Sequence, residues 1–213
     1  MERCRLSAAI CLIVAGFLAA NRADARAQML PDPHSLTPIV EDAPTLAPFQ
    51  HVRFCLRYPA ECKASSAIRR VELDVRTMQL LERINREVNL AIEPRVKADL
   101  ADGWAINPDS GDCNDYAVTK RHDLIARGLP SGALRLSVIK TPAGFGHLVL
   151  VVATTNGDMV LDNRTSAIRP WQTTQYRWLK IQSANDPRLW NAVKPAEIGP
   201  MALPSTRLRV ADR

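Results

Sequence analysis

Gly111-Asp112-Cys113-Asn114-Asp115-Tyr116 places a single thiol between two carboxylates at the start of a helix-forming run. Asp112 suits the N-cap position, because a short carboxylate can accept from the first-turn N–H groups that have no partner within the helix. Gly128 is a natural stop, free to take the positive φ that often follows the last turn. This spacing predicts a helix from about Cys113 to Arg127, with the thiol at its positive end. Beyond it the pattern changes to strands. Leu134 to Ile139 alternates, and His147 to Thr154 is an apolar, β-branched run after a loop at 141–146. Asn156-Gly157 is a hairpin signal, and Met159 to Asp162 returns as the next strand. A helix bearing Cys113, followed by antiparallel strands bearing His147 and Asp162, reads as an α+β arrangement.

Upstream, Val71 to Ile92 carries Leu73, Leu80, Leu81, Ile84 and Val88 at helical spacing. Pro94 ends or kinks that helix. Asn85 and Asn89 share one of its faces, and spacing alone makes them solvent-facing polar residues. Lys97 to Ser110 is a polar connection containing Trp104. Downstream, Tyr176 to Ile181 reads as one more strand, with Trp178 and Trp190 as packing residues. Four segments result: a targeting segment at 1–27, an extended Pro-rich lead-in at 28–48, one domain at 49–195 and a weakly ordered tail at 196–213.

Met1 to Ala20 has a short basic front followed by an apolar run, and small residues follow, with small-x-small cleavage sites near Ala25 and Ala27. That is the pattern of a cleaved signal peptide, which predicts an exported protein not integral to the membrane; the alternative is an uncleaved N-terminal anchor. The formal net charge is +6, and residues 1–27 hold four of the 28 basic and two of the 22 acidic residues, so the remainder carries +4. Bases are scattered and aromatic residues make up only 5%, which argues against nucleic-acid binding. An oxidising compartment lets Cys55 and Cys62 close a short loop as a disulfide. The competing reading of those two cysteines is a zinc site with His51, which lacks a fourth ligand. Cys4 and Cys11 leave with the signal, so Cys113 stays as an odd thiol.

An odd thiol at a helix N-terminus invites nucleophilic chemistry, since the reactive form is the thiolate and a helix N-terminus or a nearby imidazolium favours it. His147, at the mouth of a buried strand, is the candidate base, and Asp162 the candidate orienter. A tight hairpin puts residues near 151–152 opposite 161–162, which displaces Asp162 along the sheet from His147. The Cys113 N–H is one candidate oxyanion donor, with Trp104 as a candidate for the second. Taken singly, each residue has a blander reading: a structural cysteine, a strand-end histidine, a turn aspartate.

Gly111-Asp112-Cys113-Asn114-Asp115-Tyr116-Ala117, then Lys120, Gly128, Gly146-His147 and Val160-Leu161-Asp162-Asn163, resemble the bacterial transglutaminase-like cysteine proteinases. Phe54-Cys55, Tyr58-Pro59, Cys62, Asn85, Asn89, Asp102-Gly103-Trp104, Trp171, Trp178, Gln182 and Trp190 also look like family positions, so the resemblance spans about 45–195. It implies a papain-like, transglutaminase-core α+β fold, with N-terminal helices on an antiparallel sheet. It implies a periplasmic cysteine endopeptidase with a Cys113-His147-Asp162 triad, working through a thioester on a protein substrate. The best-known branch of the family clips a surface adhesin, answers to an inner-membrane cyclic di-GMP receptor and depends on calcium. By that resemblance Asp112, Asn114 and Asp115 are candidate calcium ligands, although Asn114 stands where the branch carries an acid; no other cofactor is expected. Two other readings of the same residues are amide transfer to an amine acceptor, and a silent module that binds a periplasmic partner.

Overall fold

A computed structural model describes residues 36–64, 66–97 and 103–194. The expected targeting segment at 1–27 and tail at 196–213 lie outside the described residues. The chain order is β1 (Glu41–Thr45), α1 (Phe49–Arg57), α2 (Val75–Ala91), β2 (Glu93–Pro94), β3 (Ser110–Gly111), α3 (Cys113–Ala126), β4 (Leu134–Lys140), β5 (Gly146–Thr154), β6 (Gly157–Leu161), β7 (Arg169–Pro170), β8 (Arg177–Gln182) and β9 (Trp190–Val193). Seven strands form one sheet in the order β1-β9-β8-β4-β5-β6-β7, with every pairing antiparallel. β2 and β3 pair in parallel as a separate short ribbon.

Strand alternation explains the two layers. Leu136, Leu148, Leu150, Val152 and Leu161 meet Leu81, Ile84 and Val88 of α2 and Val118 and Leu124 of α3 in the main core. The intervening residues Ile139, Val149, Val151, Val160 and Ile181 point the other way and pack with Ile39 and Trp171 in a second cluster. Burying each such side chain is worth about 1.5–3 kcal/mol. α3 packs on β5 and β4, with α2 behind it, so the N-terminus of α3 is held against the sheet end where β5 begins.

Two elements depart from the sequence reading. α2 starts at Val75, because the Asp74 carboxylate accepts from Thr77 N at 2.7 Å and ends the extended chain there. Val71, read as helical, instead bridges Thr154 of β5. Within the lead-in, Glu41–Thr45 is an edge strand on β9. It is further tied down by Arg135, whose guanidinium meets Glu41 at 2.6 Å and Asp158 at 3.1 Å.

Cys55 and Cys62 form a disulfide that closes α1 onto the following turn. Both sulfurs are therefore committed. The adjacent His51 faces Trp190 Nε1 at 3.2 Å and Gln182 Nε2 at 3.0 Å, and its burial, with Arg121 nearby, lowers its pKa to about 4. A neutral imidazole packed among His51's aromatic neighbours Phe54, Trp104 and Trp190 is a core residue. The zinc alternative is thereby replaced by a covalent bridge.

Candidate active site

Cys113 is the first residue of α3 and a half-buried free thiol. Its helix opens with a capping box. The Asp112 carboxylate accepts from Asn114 N at 3.0 Å, and the Asp115 carboxylate accepts from Asp112 N at 2.9 Å. The Gly111 position has no room for a side chain: a Cβ there would lie 2.3 Å from Asp115 Oδ2. The local motif is thus a tightly closed cap that leaves the Cys113 side chain beside the cleft.

That cleft has a volume of about 360 Å³ and is lined by Phe49 and Gln50 of α1, Trp104, Cys113, Asn114, Gly146, His147 and neighbours. His147, the second residue of β5, is 8% exposed. Its Nε2 lies 2.8 Å from Asp162 Oδ1. Leu150 pairs with Leu161, so continuing the register places Asp162 opposite Val149. His147 is two positions farther along, a diagonal cross-strand neighbour on the same side of the sheet, which long side chains can reach. The displacement is smaller than the expected pairing of 151–152 with 161–162 implies, because Leu161 lies opposite Leu150, and the two side chains span it.

Asp162 is held from several directions. Tyr176 Oη donates to Oδ2 at 2.5 Å, Arg164 N donates to Oδ1 at 3.0 Å, and Asn89 Nδ2 donates to its carbonyl at 2.9 Å. Asn85, fully buried, donates to the Thr165 and Ser166 carbonyls at 3.3 and 3.1 Å. The solvent-facing reading of Asn85 and Asn89 is therefore corrected: they grip the loop that follows Asp162. Tyr176, read in the sequence only as the first residue of a strand, comes just before β8 and reaches Asp162 only through the folded loop. Its ring also lies edge-on to His147, 6.1 Å between centroids.

The electrostatics follow from these contacts. Burial would raise the Asp162 pKa, but the His147 contact, Tyr176 and Arg164 N outweigh it and hold the carboxyl at about 2. Burial would lower His147, yet Asp162 and the nearby Cys113 side chain outweigh it and raise the imidazole to about 9. Burial and Asp162 together push Tyr176 up to about 12, so it acts as a donor. Burial brings the 1%-exposed Lys120 of α3 down to about 7 against the pull of Asp162. With Nε2 on the carboxylate, Nδ1 is the ring nitrogen left for the cleft. This arrangement can hold a proton on His147 beside a thiol.

The calcium set expected at Asp112, Asn114 and Asp115 fits its surroundings poorly. Asp115 is fully buried, and its Oδ1 receives Lys97 Nζ at 2.6 Å and Ala105 N at 2.8 Å while Oδ2 receives Asp112 N at 2.9 Å. Asn114 turns its amide nitrogen, not its oxygen, onto Asp112 Oδ1 at 3.0 Å. A calcium ion needs six to eight oxygen ligands, and here the carboxylate at the centre of the set already serves three N–H donors.

Comparison with known proteins agrees with the family resemblance. No curated protein matches the chain. Solved structures of Legionella pneumophila LapG match at 24% identity, covering 54% of this chain and 67% of that one, with a TM-score of 0.45. The calcium-bound form of LapG matches at 24% identity over 55% and 69%, with a TM-score of 0.44. The EGTA-treated form matches at 22% over 55% and 67%, with a TM-score of 0.43. The family described as bacterial transglutaminase-like cysteine proteinase matches residues 41–197, well over half of the chain. With its antiparallel sheet and its helix-borne cysteine, the chain belongs to the bacterial transglutaminase-like cysteine proteinases and is a cysteine peptidase.

Proposed function

We propose that the protein is a periplasmic endopeptidase in which Cys113 attacks the scissile carbonyl, His147 carries the proton and Asp162 fixes the imidazole. The observation that carries this reading is the 2.8 Å contact from His147 Nε2 to Asp162 Oδ1 beside the cleft that Cys113 lines. His147 holds the proton given up by the thiol as an imidazolium, and the Cys113 sulfur, as thiolate, bonds to the carbonyl carbon. The tetrahedral adduct collapses to a thioester as His147 returns the proton to the leaving amine. A water, deprotonated by His147, then adds to the thioester carbonyl. Collapse of this second adduct expels the Cys113 sulfur and releases the acid. Asp162 keeps the ring oriented throughout and stabilises the imidazolium.

The Cys113 N–H, at the first helical position, is one oxyanion donor, because first-turn amides have no partner within the helix. Trp104, in the same cleft, supplies the indole N–H we assign as the second. Phe49, Trp104, Val138 and Leu148 give the cleft an apolar wall, which suits an extended substrate segment with apolar side chains.

Export is supported by the basic-apolar-small pattern at 1–27 and by the Cys55–Cys62 disulfide, a bond that persists in oxidising compartments. No helix among the described residues is long and apolar enough to cross a membrane. A surface protein of the adhesin kind as substrate, and control by a cyclic di-GMP receptor, follow from the family resemblance. The test is comparative proteomics of the cell surface in a deletion strain. Wild-type protein restores processing of an accumulated surface protein, and Cys113→Ala does not. Restoration by Cys113→Ala would overturn the assignment of the nucleophile.

A further inference from the structure

We propose that the Lys97 ammonium is a built-in cation at the nucleophile's helix, occupying the oxygens a divalent ion would need, so that this cleft assembles without calcium. Lys97 Nζ lies 2.6 Å from Asp115 Oδ1 and 2.7 Å from the Gly103 carbonyl. A carboxylate and a backbone carbonyl converging on one positive charge form the beginning of a hard-cation site. Here the charge arrives on a side chain. The pair is secluded: the Lys97 side chain is 10% exposed and that of Asp115 not at all.

Two further acceptor sites of Asp115 are also taken. Ala105 N donates to Oδ1 at 2.8 Å, and Asp112 N donates to Oδ2 at 2.9 Å. Gly111 closes the other side, since even a methyl there would overlap Asp115 Oδ2 at 2.3 Å. An ion drawing on Asp115 would have to displace the ammonium and break the capping box. The placement also has a mechanical consequence. Lys97 and Asp115 clamp residues 103–105 onto the start of α3, and this clamp holds Trp104, 5% exposed, in the wall of the cleft next to Cys113. Lys97 is thus a positioning residue, acting through Asp115 and Trp104.

The inference does not rest on the peptide-cleaving reading, and its test reads unfolding temperature instead of cleavage. The full exported chain is melted in EGTA and in millimolar calcium chloride at equal ionic strength, alongside Lys97→Arg, Lys97→Met and Lys97→Ala. The wild type should melt at the same temperature in both. Breaking one side of a buried pair should lower the midpoint by roughly 10 °C in Lys97→Met and Lys97→Ala. Lys97→Arg should stay close to wild type. Methionine keeps the aliphatic stem, so a purely packing role predicts that Lys97→Met behaves like wild type, which would overturn the proposal. A clear rise of the wild-type midpoint on adding calcium would overturn it too, and that arm needs no variant to fold.

Discussion

The side chain on which the site turns is Asp162, because it receives His147 and Tyr176 on different oxygens and is kept at about 2 by them, burial notwithstanding. His147 is raised to about 9 against its own burial, by Asp162 and Cys113. The sign of the linkage follows. A raised histidine contributes stability that is complete below about 6.5 and lost as pH climbs through about 9. A depressed aspartate contributes stability that is complete above its ordinary value of 3.8 and lost as pH falls through about 2. The pair therefore supports the fold fully from roughly pH 4 to 6.5. Asp162→Asn removes the charge that offsets the burial of His147. The NMR titration of the imidazole should then drop from near 9 to below the ordinary 6.5, and an unchanged midpoint would show that Asp162 is not the controlling partner. At this scale the positions of Cys113, His147 and Asp162 at element ends were readable, because each element's pattern is local. The contact of Tyr176 with Asp162 was not, because the sequence shows Tyr176 only as the start of a strand and the folded loop brings it back to Asp162.

Among the elements, α2 does more than cover the sheet. Asn85 and Asn89 project from it to hold the carbonyls of 162–166. Asn85→Ala takes its amide from the Ser166 carbonyl and leaves Thr165 with Asn89 alone, at a fully buried position, which should cost about 1–3 kcal/mol in urea unfolding. A loss under half of that would mean the loop holds itself. Helical spacing showed that the two asparagines share a face, but what packs against that face is decided eighty residues away. α3 was legible to within a residue, because an aspartate cap and a positive-φ glycine mark its ends, Gly128 at φ 92°. The strands from 134 to 161 were legible from alternation and the turn at 155–157. The edge strand at Glu41–Thr45 was hidden, since it is Pro-containing, mostly exposed and defined by its pairing with β9 near the other end of the domain.

For the molecule as a whole, the antiparallel sheet brings together a cysteine from a helix, a histidine from β5 and an aspartate just past β6. The α+β class was readable from the order of periodicities. The seven-strand order was not, because it depends on the pairings of β8 with β4 and of β1 with β9, which close long loops. The Cys55–Cys62 bridge spans a sequence separation of 7. Its loop entropy corresponds to about 2–3 kcal/mol, so replacing both cysteines by serine should lower the chemical-denaturation free energy by that amount. A reductant that leaves the wild-type melting curve unmoved would instead speak against the bridge and against an oxidising home for the protein.

The most direct test of the Cys113-His147-Asp162 assignment is the rate at which iodoacetamide alkylates Cys113 at pH 6, followed by mass spectrometry in wild type, His147→Ala and Asp162→Asn. The triad predicts that wild-type Cys113 reacts at least about tenfold faster than a cysteine in an unstructured peptide, as a thiol paired with an imidazolium does. It also predicts that His147→Ala loses that advantage and that Asp162→Asn retains only part of it. Equal rates in the wild type, both variants and the peptide would contradict it.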